Sequence, residues 1–261
     1  MAQRIVLLLP VYNESDTILE VLDKSEPFVD QILVVDDGST DRTQDLLHAY
    51  AAAHPKLFFV SHQTNRGMSG ALLTGFLILD EARQRGRLER DDLVVTMDSD
   101  GQHDAVDILK LTEPISQGRV DMVVGKRSFE AYPMVKRAGN WFLTRWATLW
   151  SGFRYQDVEC GFRSMSVRVM ADFLPYFNPV SYGCAQEMSV IVSRRGWRVS
   201  NDVPIHVARY RAGAKVRHGF NNALAAVRAW DRVRRDRPVE RQAWPTQLLP
   251  YDSEAYRQRY E

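Results

Sequence analysis

The sequence predicts an α/β protein built around a dinucleotide- or nucleotide-binding half-sheet, and three observations predict it. Short apolar runs recur at 4–9, 31–35, 57–60, 93–96 and 121–124. Stretches with helix-like apolar spacing separate them, as in a chain of strand–helix units. Acid-bearing polar turns stand where the runs end: PVYNES after the first, DDGSTDRT after the second, DSDGQHD after the fourth. Continuous apolar strands of this kind belong to buried parallel sheets, whose carboxyl ends carry ligand sites.

Bulk properties narrow the function. A chain of 261 residues fits one large α/β domain, or one domain with a C-terminal addition. A formal net charge of +1 removes the global polycation that nucleic-acid binding would call for. Cys160 and Cys184 have no metal-site spacing and no disulfide framework, so both are expected as reduced, part-buried thiols. The run at 5–9 is too short for a signal peptide, and nothing reaches the ~18 apolar residues of a membrane span. A cytoplasmic protein is expected, with attachment to the inner face of a membrane left open.

The first strand, 4–9, is stopped by Pro10. Asn13 or Ser15 can cap a helix from about Asp16, with Ile18, Leu19 and Leu22 on its inner face. The second strand, 31–35, leads into a turn where Gly38 permits tight geometry and Ser39, Thr40 or Asp41 can cap the next helix, to about Ala53. After the strand at 57–60, Gly67 and Gly70 open a helix read as 71–82. Their turn offers amides to a phosphate, or simply lets helix and sheet pack closely. A charged loop, 84–91, precedes the fourth strand, 93–96.

The stretch from Val94 to Asp104, VVTMDSDGQHD, carries the strongest chemical signal. Asp98, Asp100 and Gln102 fall at successive i+2 positions, so an extended backbone sends all three side chains to one side. Two carboxylates and an amide oxygen are hard ligands suited to Mg²⁺ or Mn²⁺, with substrate phosphates completing the shell. The plainer alternative is a solvated turn that also caps the helix read as 106–116.

A fifth strand at 121–124 ends in Gly125, Lys126 and Arg127, cations that face the same crevice or form a solvated basic turn. Residues 135–150 read as a helix with Phe142, Trp146, Leu149 and Trp150 on one stripe, either core or an interfacial face. A turn bearing Asp157 and Glu159 precedes a short strand, 162–165, and a short helix, 167–174. A helix at 186–194 and an extended segment at 197–204 follow. Beyond residue 208 the texture changes. A basic loop holds Arg209, Arg211, Lys215, Arg217 and His218, and residues 220–233 form a basic amphipathic helix with Phe220, Leu224, Val227 and Trp230 on its apolar side. The expected division is a transferase domain, 1–208, and a basic C-terminal segment, 209–261.

The ordered set PVYNES, VDDGSTDRT, NRGMSGAL, MDSDGQHD, VVGKRS, DVECGFRSM, QEMSV and VPI resembles glycosyltransferase family 2, most nearly its dolichyl- or polyprenyl-phosphate hexosyltransferases. The resemblance covers about residues 5–215. It implies the GT-A fold, a Rossmann-like open, mostly parallel sheet with helices on both faces. It further implies Pro10, Tyr12 and Glu14 around the nucleotide and Asp37 at its base or ribose. Asp98, Asp100 and Gln102 would hold Mg²⁺ or Mn²⁺ against the diphosphate, with Arg127 near the reacting phosphates. Arg137 and Asn140 would belong to the acceptor pocket, Asp157 to the turn shaping the sugar site, and Glu187 to the acceptor side.

Where the family has R-x-x-G-x-S-K, this chain keeps Arg209 and Lys215 but carries Ala212 and Ala214, so contact with a lipid phosphate would be made differently. The expected reaction is inverting transfer of a hexose from a nucleotide-diphosphate sugar. A polyprenyl phosphate acceptor is already anionic, and Arg209, Arg211 and Lys215 can hold it. A hydroxyl acceptor on a glycolipid, polysaccharide or small metabolite needs a base instead, for which Glu187 is the candidate.

Overall fold

The computed structural model describes residues 3–129, 132–179, 182–207 and 218–240. Its strands are β1 (Ile5–Val11), β2 (Gln31–Asp36), β3 (Leu57–Ser61), β4 (Leu93–Thr96), β5 (Met122–Arg127), β6 (Arg163–Ser166) and β7 (Val199–Ile205). Its helices are α1 (Ile18–Ser25), α2 (Thr43–Ala53), α3 (Gly67–Gln84), α4 (Asp107–Ser116), α5 (Met134–Ser151), α6 (Val167–Phe173), α7 (Cys184–Arg194) and α8 (His218–Arg234).

One mixed sheet runs in the order β3-β2-β1-β4-β6-β5-β7. The pairs β1–β2, β2–β3, β1–β4 and β5–β7 are parallel, while β6 is antiparallel to both β4 and β5. Val6, Leu7, Leu8 and Leu9 are all buried, although successive residues point to opposite faces. Helices therefore cover both sides of the sheet, as the resemblance implied. The closest approach is at Gly75 of α3, where a Cβ would lie 2.3 Å from Leu8 Cδ1 on β1.

Several helix boundaries differ from the sequence reading. α1 begins at Ile18 with no side-chain cap: the Thr17 hydroxyl donates to Glu14 Oε2 (2.9 Å), and Asn13 is used elsewhere. Asn13 has φ 54°, and its Oδ1 accepts the Thr40 amide (2.8 Å), lashing the turn after β1 to the turn after β2. Asp41 does receive the Thr43 amide (2.9 Å) at the start of α2. α3 starts a full turn earlier than expected, at Gly67, whose φ of 76° turns the chain into the helix.

The stripe on α5 is divided. Trp146 donates its Nε1 proton to Ala223 O on α8 (2.8 Å), and Trp150 packs edge-on against Trp230 (5.1 Å). Phe142 and Leu149 instead face outward, at 52% and 65% exposure. α8 likewise uses an inner face different from the one read in sequence. Asn222, Ala226 and Ala229 are buried, while Phe220 is exposed. Arg232 turns inward, donating to Tyr176 O (2.8 Å) and pairing with Glu187 (2.7 Å). Cys160 and Cys184 are free and buried, and burial pushes their thiols up to about 12 and about 11.

Candidate active site

The strand ends open into a cleft of about 1540 Å³. Pro10 lines it near the end of β1, Tyr12 and Glu14 after β1, Asp37 after β2, and Asp98, Ser99, Asp100 and Gln102 after β4. Arg127 enters from the end of β5, and Glu159 and Gly161 from the loop before β6. That loop reaches the same edge because β6 runs antiparallel, placing its amino end beside its neighbours' carboxyl ends. Lys136, Asn140, Phe142, Leu143 and Trp146 of α5 form the opposite wall with Phe220, Asn222 and Ala223 of α8.

Asp37 is held on two sides. Its Oδ1 accepts the Arg66 amide (2.9 Å) and lies 2.7 Å from His62 Nδ1. His62 Nε2 is 2.9 Å from Thr74 Oγ1, so the imidazole bridges the acid to α3. Ser99 donates to Pro10 O (2.9 Å), fastening the loop after β4 to the loop after β1.

The residues expected to bind metal lie together at the cleft. Burial alone would raise the Asp98 carboxyl, but His103, 3.5 Å away, with Arg127 and Arg163, holds it below the ordinary value. Asp100 Oδ1 accepts the Gln102 amide (3.0 Å), and the Gln102 side chain donates its NH₂ to Asp100 Oδ2. Rotating that amide by half a turn exchanges nitrogen for oxygen, giving two carboxylates and one amide oxygen. Among the described residues no three His, Cys, Asp or Glu side chains cluster for a metal. The set fits a hard ion with few protein ligands, of the kind that relies on substrate phosphates.

Arg127 does not reach into the cleft as a free cation. Its Nε and Nη2 grip Asp157 Oδ2 and Oδ1 at 2.7 and 2.8 Å, and Asp157 is buried. Burial opposes the charge on Arg127, but Asp157 beside it pushes the guanidinium well above its ordinary pKa. The pair ties the end of β5 to the loop before β6. Arg163, fully buried, completes that loop by donating to Cys160 O (2.8 Å), to Val158 O and to Ser189 Oγ (3.0 Å).

On the α5 wall Lys136 and Asn140 line the cleft, whereas Arg137 is exposed and outside the lining. Arg209, Arg211 and Lys215 lie outside the described residues. Glu187 is buried and also outside the lining, its Oε2 taken by Arg232 and by the Asn178 amide (2.9 Å). It holds α7 to α8 and is not among the side chains that line the cleft. A further acid that does line the cleft, beside Glu14, Asp37, Asp98 and Asp100, is Glu159, which the sequence left without a role. It receives Gln186 Nε2 (2.7 Å) and Asn222 Nδ2 (2.9 Å), and burial pushes its carboxyl up against those hydrogen bonds.

Residues 6–167 match the family described as Glycosyl transferase family 2. The chain belongs to that family. Among its family 2 relatives is a UDP-N-acetylglucosamine–dolichyl-phosphate N-acetylglucosaminyltransferase of Methanococcus voltae, 29% identical over 78% of this chain and 86% of that protein. An undecaprenyl-phosphate mannosyltransferase of Micrococcus luteus is 29% identical over 87% of this chain and 93% of its own. Glucosyl-3-phosphoglycerate synthase from Mycobacterium tuberculosis, solved with Mn²⁺ and UDP-glucose, superposes with a TM-score of 0.61. It shares 20% identity over 95% of this chain and 84% of that one, a likeness of fold. The protein is thus a glycosyltransferase of GT-A fold that uses a nucleotide sugar.

Proposed function

We propose that this family 2 enzyme transfers a hexosyl group from a nucleoside diphosphate sugar to a polyprenyl-type lipid phosphate at a membrane surface, with Mg²⁺ or Mn²⁺. The observation that carries the proposal is the cleft's two-sided chemistry. Acids and strand-end turns occupy one side; Val135, Phe142, Leu143, Trp146 and Phe220 line the other. Val135, Phe142 and Phe220 are exposed as well as cleft-lining, so the apolar wall continues onto the surface, joining Met134, Trp141 and Leu149. A chain of isoprene units would lie along that wall, with its phosphate brought towards Lys136 and Asn140. The exposed residues of α5, with Arg137 and Arg145 among them, suit a membrane interface better than α8, whose inner face is packed on the domain. No described helix is long and apolar enough to cross a membrane.

Asp37 would accept a hydrogen bond from the nucleobase or ribose, its carboxylate already oriented by His62. A divalent ion held by Asp98, Asp100 and Gln102 would neutralise charge developing on the leaving diphosphate. The Arg127–Asp157 clamp keeps the sugar-side loop in place. An anionic acceptor oxygen needs no general base, and its attack opposite the leaving group inverts the anomeric centre.

On the comparisons alone, family 2 transfer with a hydroxyl acceptor has the broader support, and Glu159 in the cleft is a carboxylate that a hydroxyl acceptor could use. The two readings separate experimentally. Once a donor is found by thermal shift in Mn²⁺, sugar transfer to undecaprenyl phosphate is compared with transfer to undecaprenol and to water-soluble hydroxyl acceptors. Transfer to the phosphate alone supports the first reading; transfer to hydroxyls alone replaces it. For the membrane face, Trp141→Glu with Leu149→Glu should abolish binding to anionic vesicles while leaving donor hydrolysis intact. Unchanged vesicle binding removes α5 from that role.

A further inference from the structure

Behind Asp37 a polar relay runs inward from the cleft. Asp37 lines the cleft, whereas His62 and Thr74, which continue from it, do not. Asp37 stands after β2, His62 after β3 and Thr74 on α3, so the relay joins two strand ends to a helix. All three residues are buried. What the relay does depends on where its protons lie.

The hydrogen-bond network assigns them. Asp37 Oδ1 accepts the Arg66 amide (2.9 Å) and stands 2.7 Å from His62 Nδ1. An ionised carboxylate only accepts, so Nδ1 carries a proton. His62 Nε2 lies 2.9 Å from Thr74 Oγ1, a hydroxyl with no other hydrogen-bond partner among the described residues. Were Nε2 to donate as well, the Thr74 hydrogen would be left buried without an acceptor, which costs about 1–3 kcal/mol. With Thr74 donating to Nε2, every proton is met. Thr74 therefore fixes the tautomer of His62, and the tautomer in turn fixes the carboxylate. Two donors fill Asp37 Oδ1, and Oδ2, with no partner among the described residues, is what remains for a guest.

We propose that His62 is a positioning residue for the nucleoside half of the donor. Thr74 keeps its proton on Nδ1, and that N–H holds Asp37 with Oδ2 presented to the nucleoside. The inference rests on the reading of Asp37 as a nucleoside contact and is independent of the sugar and the acceptor. The competing role for the same bonds is mechanical, tying the ends of β2 and β3 to α3.

Two amide substitutions distinguish the roles. In His62→Asn the side-chain NH₂ takes the place of Nδ1 and can still donate to Asp37. In His62→Gln it reaches the place of Nε2, towards Thr74. Affinities of UDP, GDP and pyrophosphate are measured in Mn²⁺ for wild type and both variants, with melting temperatures alongside; pyrophosphate carries no nucleoside. For the nucleotide that wild type prefers, His62→Gln should lose about 10-fold in affinity and His62→Asn less than about 3-fold, while pyrophosphate changes by less than about 2-fold in either. Thr74→Val should weaken the nucleotide with the same selectivity, and Thr74→Ser, which keeps the hydroxyl, should restore it. Equal losses in the two amide variants, or losses that pyrophosphate shares, identify a fastening role and overturn the proposal. So does a nucleotide affinity that no variant changes. Should the His62 variants fail to fold, the Thr74 pair reads the same contrast. If wild type binds neither nucleotide, the donor reading itself falls, and this inference falls with it.

Discussion

Gly161 and Asp98 are packed so closely that the glycine's missing side chain is what allows the acid its place, with an added Cβ only 2.6 Å from Oδ1 and 2.9 Å from Oδ2. Gly161→Ala should push the Asp98 carboxylate aside while disturbing little else. A displacement of this size at a reacting centre costs about 10²-fold in kcat/KM. Steady-state kinetics beside thermal melting check it; activity unchanged with a normal fold would mean that Asp98 need not hold this position.

Asp157 faces Arg127 through two parallel hydrogen bonds in a setting where the acid is 1% exposed. Asp157→Ala strands a largely buried guanidinium and should destabilise the protein by about 3 kcal/mol. Replacing both partners, Arg127→Met with Asp157→Leu, should recover much of that loss in denaturant unfolding, yet leave the loop before β6 without its polar tether.

The position of Glu187 makes a further contrast. With its carboxylate on Arg232, Glu187→Gln should lower the melting temperature and leave the pH profile of kcat/KM unmoved. A general base would instead lose about 10²- to 10⁴-fold and the corresponding limb of the profile. Loss of that limb would return Glu187 to the chemistry.

Asp121 fastens the start of β5 to Arg198 before β7 (Nε, 2.9 Å) and to Arg168 on α6 (Nη2, 3.0 Å). Hydrogen bonding to Arg198, opposed by burial, holds its carboxyl below the ordinary 3.8. In the folded protein the proton binds less readily than in the unfolded chain. The associated stability is therefore fully present above the unfolded pKa and is lost as pH falls through the lower folded value. Urea unfolding should show wild type more stable than Asp121→Asn at neutral pH, with the gap closing below about pH 3.8 as the acid titrates. A gap that ignores pH would assign the effect to packing.

For the metal, Asp100→Ala should remove a ligand and cut Mn²⁺ binding, measured by calorimetry in the presence of UDP. Activity should fall by orders of magnitude. Mn²⁺ affinity equal to wild type would remove Asp100 from the ligand set.

Sequence and structure agree best where a signal was local. Apolar runs such as VLLL before Pro10 place strands. Asp98, Asp100 and Gln102 do line one cleft, but a bend at 99–101, with Gly101 at φ 73°, takes the place of the extended backbone that their i+2 spacing suggested. Helix phase was harder. Lys136 and Arg137 are neighbours in sequence but about 100° apart around α5, and only Lys136 faces the cleft. The pairing of Glu187 with Arg232 depends on how α7 meets α8, which neither segment announces. Glu159 was visible as an acid in a turn. Its use depends on the direction of β6, and a strand as short as RSMS carries no mark of direction.

The place of β6 in the sheet also sets an order of assembly. Strands β1 to β4 pair directly with one another within residues 5–96, so this part of the sheet can close as the chain emerges. β5 cannot join it on its own, because β6 stands between β5 and β4 and is made afterwards. During synthesis from the amino end, the half bearing Asp37, Asp98 and Asp100 is in place while Glu159 and the Arg127–Asp157 clamp still await β6. A nascent chain stalled before residue 163 would carry Asp37, Asp98 and Asp100 at their strand ends, with the Glu159 side of the cleft still to be built.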